Sequence, residues 1–382
     1  MISKKIFIIA GSFFVLLVLL SGGWYFLRED NKKPIEIVNE EAERREEPKE
    51  QKQEGANLNS DLIRKIAEGE INSVVFDRDK RNVLYYNNNN FLKLTPGKEV
   101  FIENLESYPF KNIKNIKWSF DRSRTLIQTE EGFKVFNLSD GEVADLKGGI
   151  KEAGWNILEG GLVYHFQDKE NDVSEIDVSD AEGGNWKKII DTDFAEISLK
   201  TRPESKEVLY YPKNNKTEKE KGVFLVDLTE REKTELIEWK EGFDCKWSPS
   251  GDKLLISHKK EEGLDLGYLD MKNDNYYTFN FPTTIEKCAW SEDEESLYCG
   301  MITGFSSQGE EDGDLLKSWQ EENFYSQDTF WKIDIETGKK ERLIDTIEEK
   351  ISVDAVNLLV NKKEDKLYFI DRKTRDLMEL QI

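Results

Sequence analysis

Short acidic or amide side chains recur at one place along the sequence, near the end of a short apolar segment that precedes a turn. They are Asn137, Asp177, Asp227, Asp270 and Asp334. Carboxylates repeated around a symmetric fold could form a ring of cation ligands. Their regular repetition instead favours a structural task, in which each side chain accepts hydrogen bonds from backbone N–H groups of the following turn. We therefore predict turn-capping residues at these positions.

Histidine and cysteine do not indicate a metal site. His165 and His258 lie in different repeats, and neither has an H-E-x-x-H context. The three cysteines form neither a disulfide framework nor a C-x-x-C pair. Cys245 and Cys288 each precede a Trp by two residues, which favours buried small hydrophobic side chains. A disulfide between Cys288 and Cys299, which would face each other across a hairpin, is the alternative.

No catalytic motif stands out. The sequence has no G-x-S-x-G elbow, no P-loop and no dinucleotide fingerprint, so it predicts no catalytic residue, no cofactor and no metal. The abundance of Asp and Glu leaves one enzymatic alternative, a carbohydrate-active hydrolase or lyase with paired carboxylates in a channel. Two such carboxylates about 5 to 10 Å apart would favour the enzyme, and a channel plugged by side chains would favour a binding protein.

One long insertion, MITGFSSQGEEDGDLLKSWQEENFYSQDTFW, departs from the repeats. Its acidic stretch from 310 to 314 lacks the spacing of an EF-hand loop and indicates a solvated loop. Apolar anchors follow at Leu316, Trp319, Phe324 and Tyr325, and aromatic anchors contribute much of the binding energy of protein interfaces. We predict partner binding at these four residues. The alternative is that they pack back onto their own domain.

The elements that position these residues are repeats. Seven segments share a large residue, a polar turn and a new apolar run seven positions later, and the six spacings between them are 42, 37, 46, 46, 43 and 70 residues. The segments start at Phe76, Trp118, Trp155, Thr201, Trp247, Trp290 and Val360. A spacing near 40 residues without helices matches a four-stranded propeller blade, and the long spacing locates the insertion.

Short β-branched or aromatic strands bounded by turn formers follow within each copy, as in LLIS, VLYY, FLVDL and WKIDI. The predicted fold class is all-β, a β-propeller of about seven four-stranded blades spanning residues 61–382. The Trp residues at 118, 155, 247 and 290 are expected in the core between blades.

WSPSGDKLL, together with FNLSDG and IDIETGK at the ends of third strands, resembles the WD-repeat-like blades of TolB-type propellers. The resemblance covers the chain from about residue 61 onward. It implies the fold but no single function, because related blades serve as scaffolds, partner-binding modules and enzyme accessory domains.

The ring also needs closing. The last copy has strands only in KLYFI and LMELQI, so its outermost strand is missing. The segment LIRKIAEG, Leu62 to Gly69, precedes the first inner strand and could occupy that place. We predict that it joins the two ends of the ring.

The N-terminal segment predicts a membrane anchor. From Ile6 to Leu27 no residue is charged, and 22 residues at about 1.5 Å each can cross a hydrocarbon layer of roughly 30 Å. Lys4 and Lys5 precede this run, which by the positive-inside tendency leaves residues 1–5 in the cytoplasm and the propeller extracytoplasmic. A cleaved signal peptide is the alternative.

Residues 28–60 are charged and contain two prolines, which predicts a disordered linker.

Composition excludes one class of partner. The net charge is -22, and residues after position 60 hold 46 basic against 67 acidic residues. Such a domain repels phosphate backbones, so we expect no nucleic acid as a partner.

The leading hypothesis is a non-catalytic, membrane-tethered propeller that binds a protein or envelope component. An extracellular sensor is a weaker one.

Overall fold

The computed structural model describes residues 37–38, 62–96, 98–156, 160–213, 222–261, 263–305 and 325–382. Within these ranges, no helix has the length and apolarity needed to cross a membrane. The predicted tail (1–5), membrane helix (6–27) and most of the linker (28–60) lie outside them.

Short runs of β-branched and aromatic residues separated by turns give seven sheets, each with four antiparallel strands, which we call blades; one sheet has an additional parallel strand at its edge. Two strands precede the first inner strand, β1 (Ile37–Val38) and β2 (Ile63–Ala67). Blade 1 contains β3 (Asn72–Phe76), β4 (Val83–Asn87), β5 (Asn90–Thr95) and β6 (Lys98–Asn104). Blade 2 contains β7 (Asn115–Trp118), β8 (Arg124–Gln128), β9 (Phe133–Asn137) and β10 (Val143–Asp145). Blade 3 contains β11 (Ile150–Trp155), β12 (Leu162–Asp168), β13 (Val173–Ser179) and β14 (Lys187–Asp191).

The remaining blades follow in the same order along the chain. Blade 4 contains β15 (Ile197–Thr201), β16 (Glu207–Pro212), β17 (Gly222–Asp227) and β18 (Lys233–Glu238). Blade 5 contains β19 (Asp244–Trp247), β20 (Lys253–Lys259), β21 (Leu264–Asp270) and β22 (Asn275–Thr278). Blade 6 contains the 3₁₀ turn Ile285–Lys287, then β23 (Cys288–Trp290), β24 (Ser296–Phe305), β25 (Ser326–Asp334) and β26 (Lys340–Ile344). Blade 7 contains β27 (Ala355–Val360), β28 (Lys366–Asp371) and β29 (Leu377–Gln381).

The first strand of each blade lies innermost, and we label the strands of a blade a to d from the centre outward. Backbone proximity or a side-chain hydrogen bond joins the first strands of each pair of neighbouring blades, and β27 of the last blade contacts β3 of the first. The sheets therefore form a closed ring, which confirms the predicted seven-bladed propeller.

The N-terminal strand β2 is strand d of blade 7. It pairs antiparallel with β29, with Ile63 opposite Leu380 and Arg64 opposite Glu379. The Arg64 guanidinium also donates to the Glu379 carboxylate at 2.9 Å. The predicted closure by Leu62 to Gly69 is thus confirmed.

The core consists of seven hydrophobic clusters, one at each junction between blades. In the cluster between blades 1 and 2, Phe91 packs edge-on against Trp118, with ring centroids 5.0 Å apart. The other clusters join successive blades in the same way, and the last one joins blade 7 to blade 1. The predicted inter-blade Trp residues 118, 155, 247 and 290 are all buried.

Antiparallel order places the turns of each blade on two opposite faces of the ring. The a–b and c–d turns lie on one face, which we call the Trp face because the a–b turns follow Trp118, Trp155 and Trp247. The b–c hairpins and the connections between blades lie on the other face. Positions 214–221 and 306–324 fall within b–c hairpins, so we call this the insertion face.

The insertion is shorter than the sequence indicated. Strands were expected to end at Met301 and to resume at Phe330, but β24 and β25 stay paired as far as Phe305 and Ser326. Residues 302–305 and 326–329 extend the ladder, with Ile302, Thr303 and Phe305 continuing the β-branched and aromatic character of β24.

Two residues of the predicted linker also form a strand. Ile37–Val38 pairs in parallel with the outer strand β22 of blade 5. An outer strand presents unpaired backbone N–H and C=O groups, so an extended segment can join it through the backbone alone.

Candidate functional site: the central channel

Three tryptophans tie the innermost strands together around the central channel. The indole N–H of Trp118 donates to the Ser73 carbonyl at 2.8 Å, and that of Trp155 donates to the Lys117 carbonyl at 2.8 Å. Trp247 donates to the Lys200 carbonyl at 3.2 Å. Each acceptor belongs to the preceding blade, so each indole supports its neighbour's inner strand and not a ligand.

A lysine occupies the penultimate position of strand a in three blades. Lys117, Lys200 and Lys246 stand immediately before Trp118, Thr201 and Trp247. All three line a cavity of about 570 Å³ formed by the inner strands of blades 2 to 5 together with residues of blades 6 and 7. The channel is therefore not plugged by side chains.

Two of these lysines meet a carboxylate from the next blade. Lys117 Nζ lies 2.5 Å from Glu152 and also donates to the Ala153 carbonyl at 2.8 Å. Glu152 receives a second lysine, Lys213, at 2.7 Å. Lys200 Nζ lies 3.3 Å from Asp244. Glu152 and Asp244 share one register, three residues before the end of strand a, so the repeat itself generates the pairs.

Lys246 breaks this pattern. In blade 6 the equivalent carboxylate position holds Lys287, at the end of the 3₁₀ turn. Lys246 Nζ donates instead to the neutral carbonyl of Cys288 at 2.9 Å, and no carboxylate in the described part of the chain lies within ion-pair distance of it. Burial and the charge of Lys200 lower the pKa of Lys246 to about 8, although Glu286 and Asp244 oppose the shift.

Asp244 and Glu286 are the other two carboxylates that line the cavity. Asp244 accepts hydrogen bonds from the Tyr211 hydroxyl at 2.5 Å and from the Cys245 backbone N–H at 2.8 Å. The Glu286 side chain is exposed to the channel, but protein atoms surround it closely. The resulting loss of solvation and the charge of Asp244 raise the pKa of the Glu286 carboxyl. The two groups, which belong to neighbouring blades, therefore repel each other.

Lys287 turns away from the channel into a fully buried ion network. Its ammonium lies 2.5 Å from Asp328 and 2.6 Å from Asp354, and none of the three side chains is exposed. Burial raises the pKa of Asp328, with Lys287 opposing the shift and Asp354 reinforcing it. Ser326 joins the network, since its N–H donates to Asp354 at 3.0 Å.

This network stands where the insertion rejoins the blade. Ser326 is the first residue of β25, and its hydroxyl contacts both Lys287 and Asp328. Tyr325 precedes it and is half-buried. The other predicted partner-binding residues, Leu316, Trp319 and Phe324, lie outside the described residues.

The repeated turn residues cap turns in four of five cases. Asn137, Asp227, Asp270 and Asp334 accept backbone N–H groups of the following turn, as predicted. Asp177 was assigned wrongly, because β13 continues to Ser179 and the cap is Asp180, which accepts from Glu182 and Gly184. The prediction for Asp177 depends on the end of the apolar run, and in this blade the apolar run ends before the strand does.

Asp177 is consequently a buried carboxyl. Burial and the neighbouring Glu175 raise its pKa to about 6, although Trp186 and Lys147 oppose the shift in part. His165 is buried as well, and burial lowers its pKa to about 4. Among the residues that the structure describes, no cluster of three or more His, Cys, Asp or Glu side chains could hold a metal ion.

The cysteines differ from the favoured expectation. Cys288 and Cys299 form a disulfide between β23 and β24, where they face each other directly with Cα atoms 4.2 Å apart. Such a close opposed pair lets two Cys side chains meet. The expectation that all three cysteines are unbonded was wrong for this pair and is confirmed for Cys245, which is free and buried.

The channel lysines were missed by the sequence reasoning, although the sequence contains a signal for them. Lys directly precedes the repeat start at Trp118, Thr201 and Trp247. Alignment of the copies one residue further back would have shown this basic position. Their carboxylate partners stand 35 and 44 residues later, and only the ring brings them together.

Comparison with known proteins supports the fold. No protein-family model matches the chain, and no curated protein matches it by sequence. Among solved structures, an oligogalacturonate lyase in complex with manganese aligns with a TM-score of 0.58 and 11% identity, over 84% of this chain and 90% of its own. The Cps50 (Swd1) β-propeller domain of Myceliophteria thermophila aligns with a TM-score of 0.51 and 10% identity, over 84% of this chain and 100% of that domain.

A protein assigned as TolB from Agrobacterium tumefaciens aligns more loosely, with a TM-score of 0.44 and 12% identity over 72% of this chain and 90% of its own. At such identities a structural likeness establishes architecture and no activity. The predicted architecture is therefore confirmed at the level of the fold: the described chain is a seven-bladed β-propeller, similar to the Cps50 (Swd1) propeller domain.

Proposed function

We propose that this protein is a non-catalytic, membrane-tethered β-propeller that binds a protein or an envelope component on the extracytoplasmic side. The observation that carries the proposal is the long b–c hairpin of blade 6, because it holds the insertion at a root fixed by the buried Lys287 network. A rigid ring that presents one fixed, elaborated hairpin suits binding, since preorganisation reduces the entropy lost on association.

Several hydrogen bonds hold the start of β25, where the insertion rejoins the blade; we call this point the root of the insertion. Ser326 contacts Lys287, Asp328 and Asp354, and Ala355 N–H donates to Asp328 at 2.8 Å. These contacts join blade 6 to blade 7 beneath the insertion. Few surface loops require two buried carboxylates and a buried lysine, so a role for the hairpin beyond connecting two strands is the natural explanation.

The channel supports a binding role more than a catalytic one. Glu152 is engaged by two lysines, and Asp244 is engaged by Lys200 and by the Tyr211 hydroxyl. A carboxylate pair that works as acid and base needs groups free to exchange protons with a substrate. These two carboxylates instead join neighbouring blades.

The location is part of the proposal. The apolar segment Ile6 to Leu27 would cross the cell membrane once, with residues 1–5 in the cytoplasm and residues 28–60 as the tether. Protease added to intact cells would then release the propeller by cutting the tether. Protection of the propeller in intact cells would contradict this topology.

The binding test uses the insertion. Replacing Trp319, Phe324 and Tyr325 together with Ala should abolish crosslinking to a specific partner in intact cells while leaving thermal stability unchanged, because the variant loses anchors and no blade core. The matched control is Phe101→Ala on the outer strand of blade 1, where an aromatic side chain is 58% exposed. Unchanged capture by the triple variant would overturn the insertion as the docking element.

An enzyme is the second candidate, since Asp244 and Glu286 face one channel and charge repulsion contributes to the raised pKa of Glu286. A similar solved structure is named as an oligogalacturonate lyase. The test is release of unsaturated products from oligogalacturonate, followed by the variants Glu286→Gln and Asp244→Asn. Product formation that both variants lose would favour the enzyme, and its absence in the unmodified protein would remove this candidate.

A further inference from the structure

We infer that the central channel is a binding site for a small organic anion, a carboxylate or phosphate attached to a ring, held by Lys246 and Lys200. The inference is independent of the insertion and of the partner proposed above. It rests on the cavity, on the distribution of charge around it and on the break in the lysine–carboxylate pattern at blade 6.

The cavity has the size of a small-molecule site. Its volume of about 570 Å³ lies within the range of roughly 300 to 1,000 Å³ that ligand pockets occupy. The ring of inner strands forms its wall, so the cavity exists before any ligand arrives.

The channel has the opposite charge balance to the rest of the protein. The whole chain carries a net charge of -22. The cavity lining contains four basic residues, Lys117, Arg122, Lys200 and Lys246, against three acidic ones, Glu152, Asp244 and Glu286. A cleft with walls of low dielectric constant focuses the electric field of the charges that line it. The basic lining of this cavity therefore attracts anions, and a small anion can reach it despite the acidic exterior of the protein.

Among the three channel lysines, Lys246 is the one to which the described residues offer no carboxylate partner. Lys117 and Lys200 each bind a carboxylate of the following blade, whereas Lys246 meets the Cys288 carbonyl because Lys287 replaces the expected acid. Lys200 also repels it, which contributes to the lowered pKa of Lys246. An anion between the two ammonium groups would remove that repulsion and supply the missing partner.

Aromatic side chains surround the same cavity toward the Trp face. Trp118, Trp155 and Trp247 line it, and Phe120, which also lines it, is 64% exposed. A large exposed aromatic side chain at a cavity mouth is a surface on which a planar or ring-shaped group can stack. The anion is therefore expected to carry a ring.

Calorimetric titration of the full chain with four matched compounds tests the inference. Benzoate and phenyl phosphate supply a ring with a carboxylate or a phosphate, benzyl alcohol supplies the ring without charge, and inorganic phosphate supplies charge without a ring. We expect binding of at least one ring-bearing anion and weaker or absent binding of the other two compounds. The stronger of the two ring-bearing anions identifies the head group.

Variants then locate the site. Lys246→Met should weaken binding about tenfold or more through loss of a charge-assisted hydrogen bond, and Lys246→Arg should restore most of it. Glu286→Gln should tighten binding, because it removes a carboxylate that competes for the same cations. Lys272→Met is the control, since Lys272 is exposed and pairs with Asp252 outside the channel.

The pH dependence has a defined sign. Lys246 faces Lys200, Glu286 and Asp244, and it loses its charge as the pH rises through about 8. Anion affinity should therefore decrease above that pH, and Lys246→Arg should remove the decrease.

Three results would overturn the inference. They are absence of binding by both ring-bearing anions at millimolar concentration, equal affinity of Lys246→Met and the unmodified protein, and equal weakening by Lys246→Met and Glu286→Gln. The last result would show general damage to the channel, because opposite charges must act in opposite directions on an anion. Loss of partner capture by the insertion variant with intact anion binding would separate the two proposals.

Discussion

At the scale of single residues, Lys287 is the most consequential charge in the ring. It compensates two buried carboxylates, Asp328 and Asp354, with Arg372 4.0 Å from the second. Burying an ion pair contributes little net stability, but removing one partner leaves an uncompensated charge in the interior. The network therefore makes the root of the insertion dependent on a single side chain.

Lys287→Met should accordingly lower the free energy of unfolding by about 3 to 5 kcal/mol, as measured by urea denaturation. Lys272→Met, at an exposed ion pair with Asp252, should cost less than about 1 kcal/mol. Equal effects of the two variants would show that the buried network is not stabilised as described.

Asp177 gives a residue-scale prediction with a pH dependence. Its pKa in the folded protein is about 6, above the ordinary value of 3.8, so folding favours the protonated form. The penalty is absent well below pH 3.8, grows as the pH rises through 6, and is complete above it. Asp177→Asn should therefore stabilise the protein by up to about 3 kcal/mol at pH 8 and by little at pH 4.

Thermal or urea unfolding at both pH values measures this difference. Asp180→Asn is the control, because Asp180 caps the turn of the same blade with its side chain partly exposed. A gain for Asp177→Asn that is equal at pH 4 and pH 8 would contradict a buried ionisable group.

At the scale of elements, the hairpin of β23 and β24 carries the disulfide. Cys288 lies at the start of the inner strand of blade 6, and its carbonyl accepts the hydrogen bond of Lys246. The bond thus fixes one wall of the channel as well as one hairpin.

Replacement of both Cys288 and Cys299 by Ala should lower the free energy of unfolding by about 2 to 3 kcal/mol, the range expected for a loop of this length. Alkylation of the unfolded, unreduced protein followed by mass spectrometry should label Cys245 alone. Labelling of all three cysteines before reduction would refute the bond.

Elements were predictable where the information is local. The strands and their spacing follow from turn formers, such as those after Trp118 and Trp247, and from the apolar runs behind them. These signals are local because a blade is built from neighbouring segments of the chain. The hairpin register also placed Cys288 opposite Cys299. Whether the two sulfurs bond depends on backbone geometry that composition does not specify. The true end of β13, and hence the burial of Asp177, depends on packing between blades.

The channel was less predictable because its contacts are not local. Lys117 and Glu152 are 35 positions apart and belong to different blades. In blade 6 the position of the expected acid holds Lys287, the last residue of the 3₁₀ turn Ile285–Lys287, and Lys246 meets the Cys288 carbonyl instead. Sequence could supply the repeated basic position but not the partner that each lysine meets.

At the scale of the whole molecule, stability depends on the joint between β2 and β29. A chain that starts at Asp61 retains this joint, and one that starts at Glu70 lacks it. The shorter chain loses the Arg64–Glu379 ion pair and the packing of Ile63, and it leaves β29 as an open edge. Its melting temperature should be lower by several degrees, since each 1 kcal/mol corresponds to about 2–4 °C at the size of 150 to 250 residues.

Calorimetry of the two truncated chains measures their melting temperatures. The two chains differ only by Asp61 and the eight residues from Leu62 to Gly69. Equal melting temperatures would mean that the ring does not rely on this strand. A lower temperature accompanied by self-association of the shorter chain would show, in addition, that the exposed edge of blade 7 recruits a second copy.

The joint also determines when the protein can fold. Arg64 and Glu379 are separated by 315 positions, so β2 leaves the ribosome long before β29, the strand with which it pairs. Blades 1 to 6 can form during translation, but the circle is completed only once β29 has been synthesised. Strand β2, although it precedes every blade along the chain, would therefore be among the final strands to find its place in the ring.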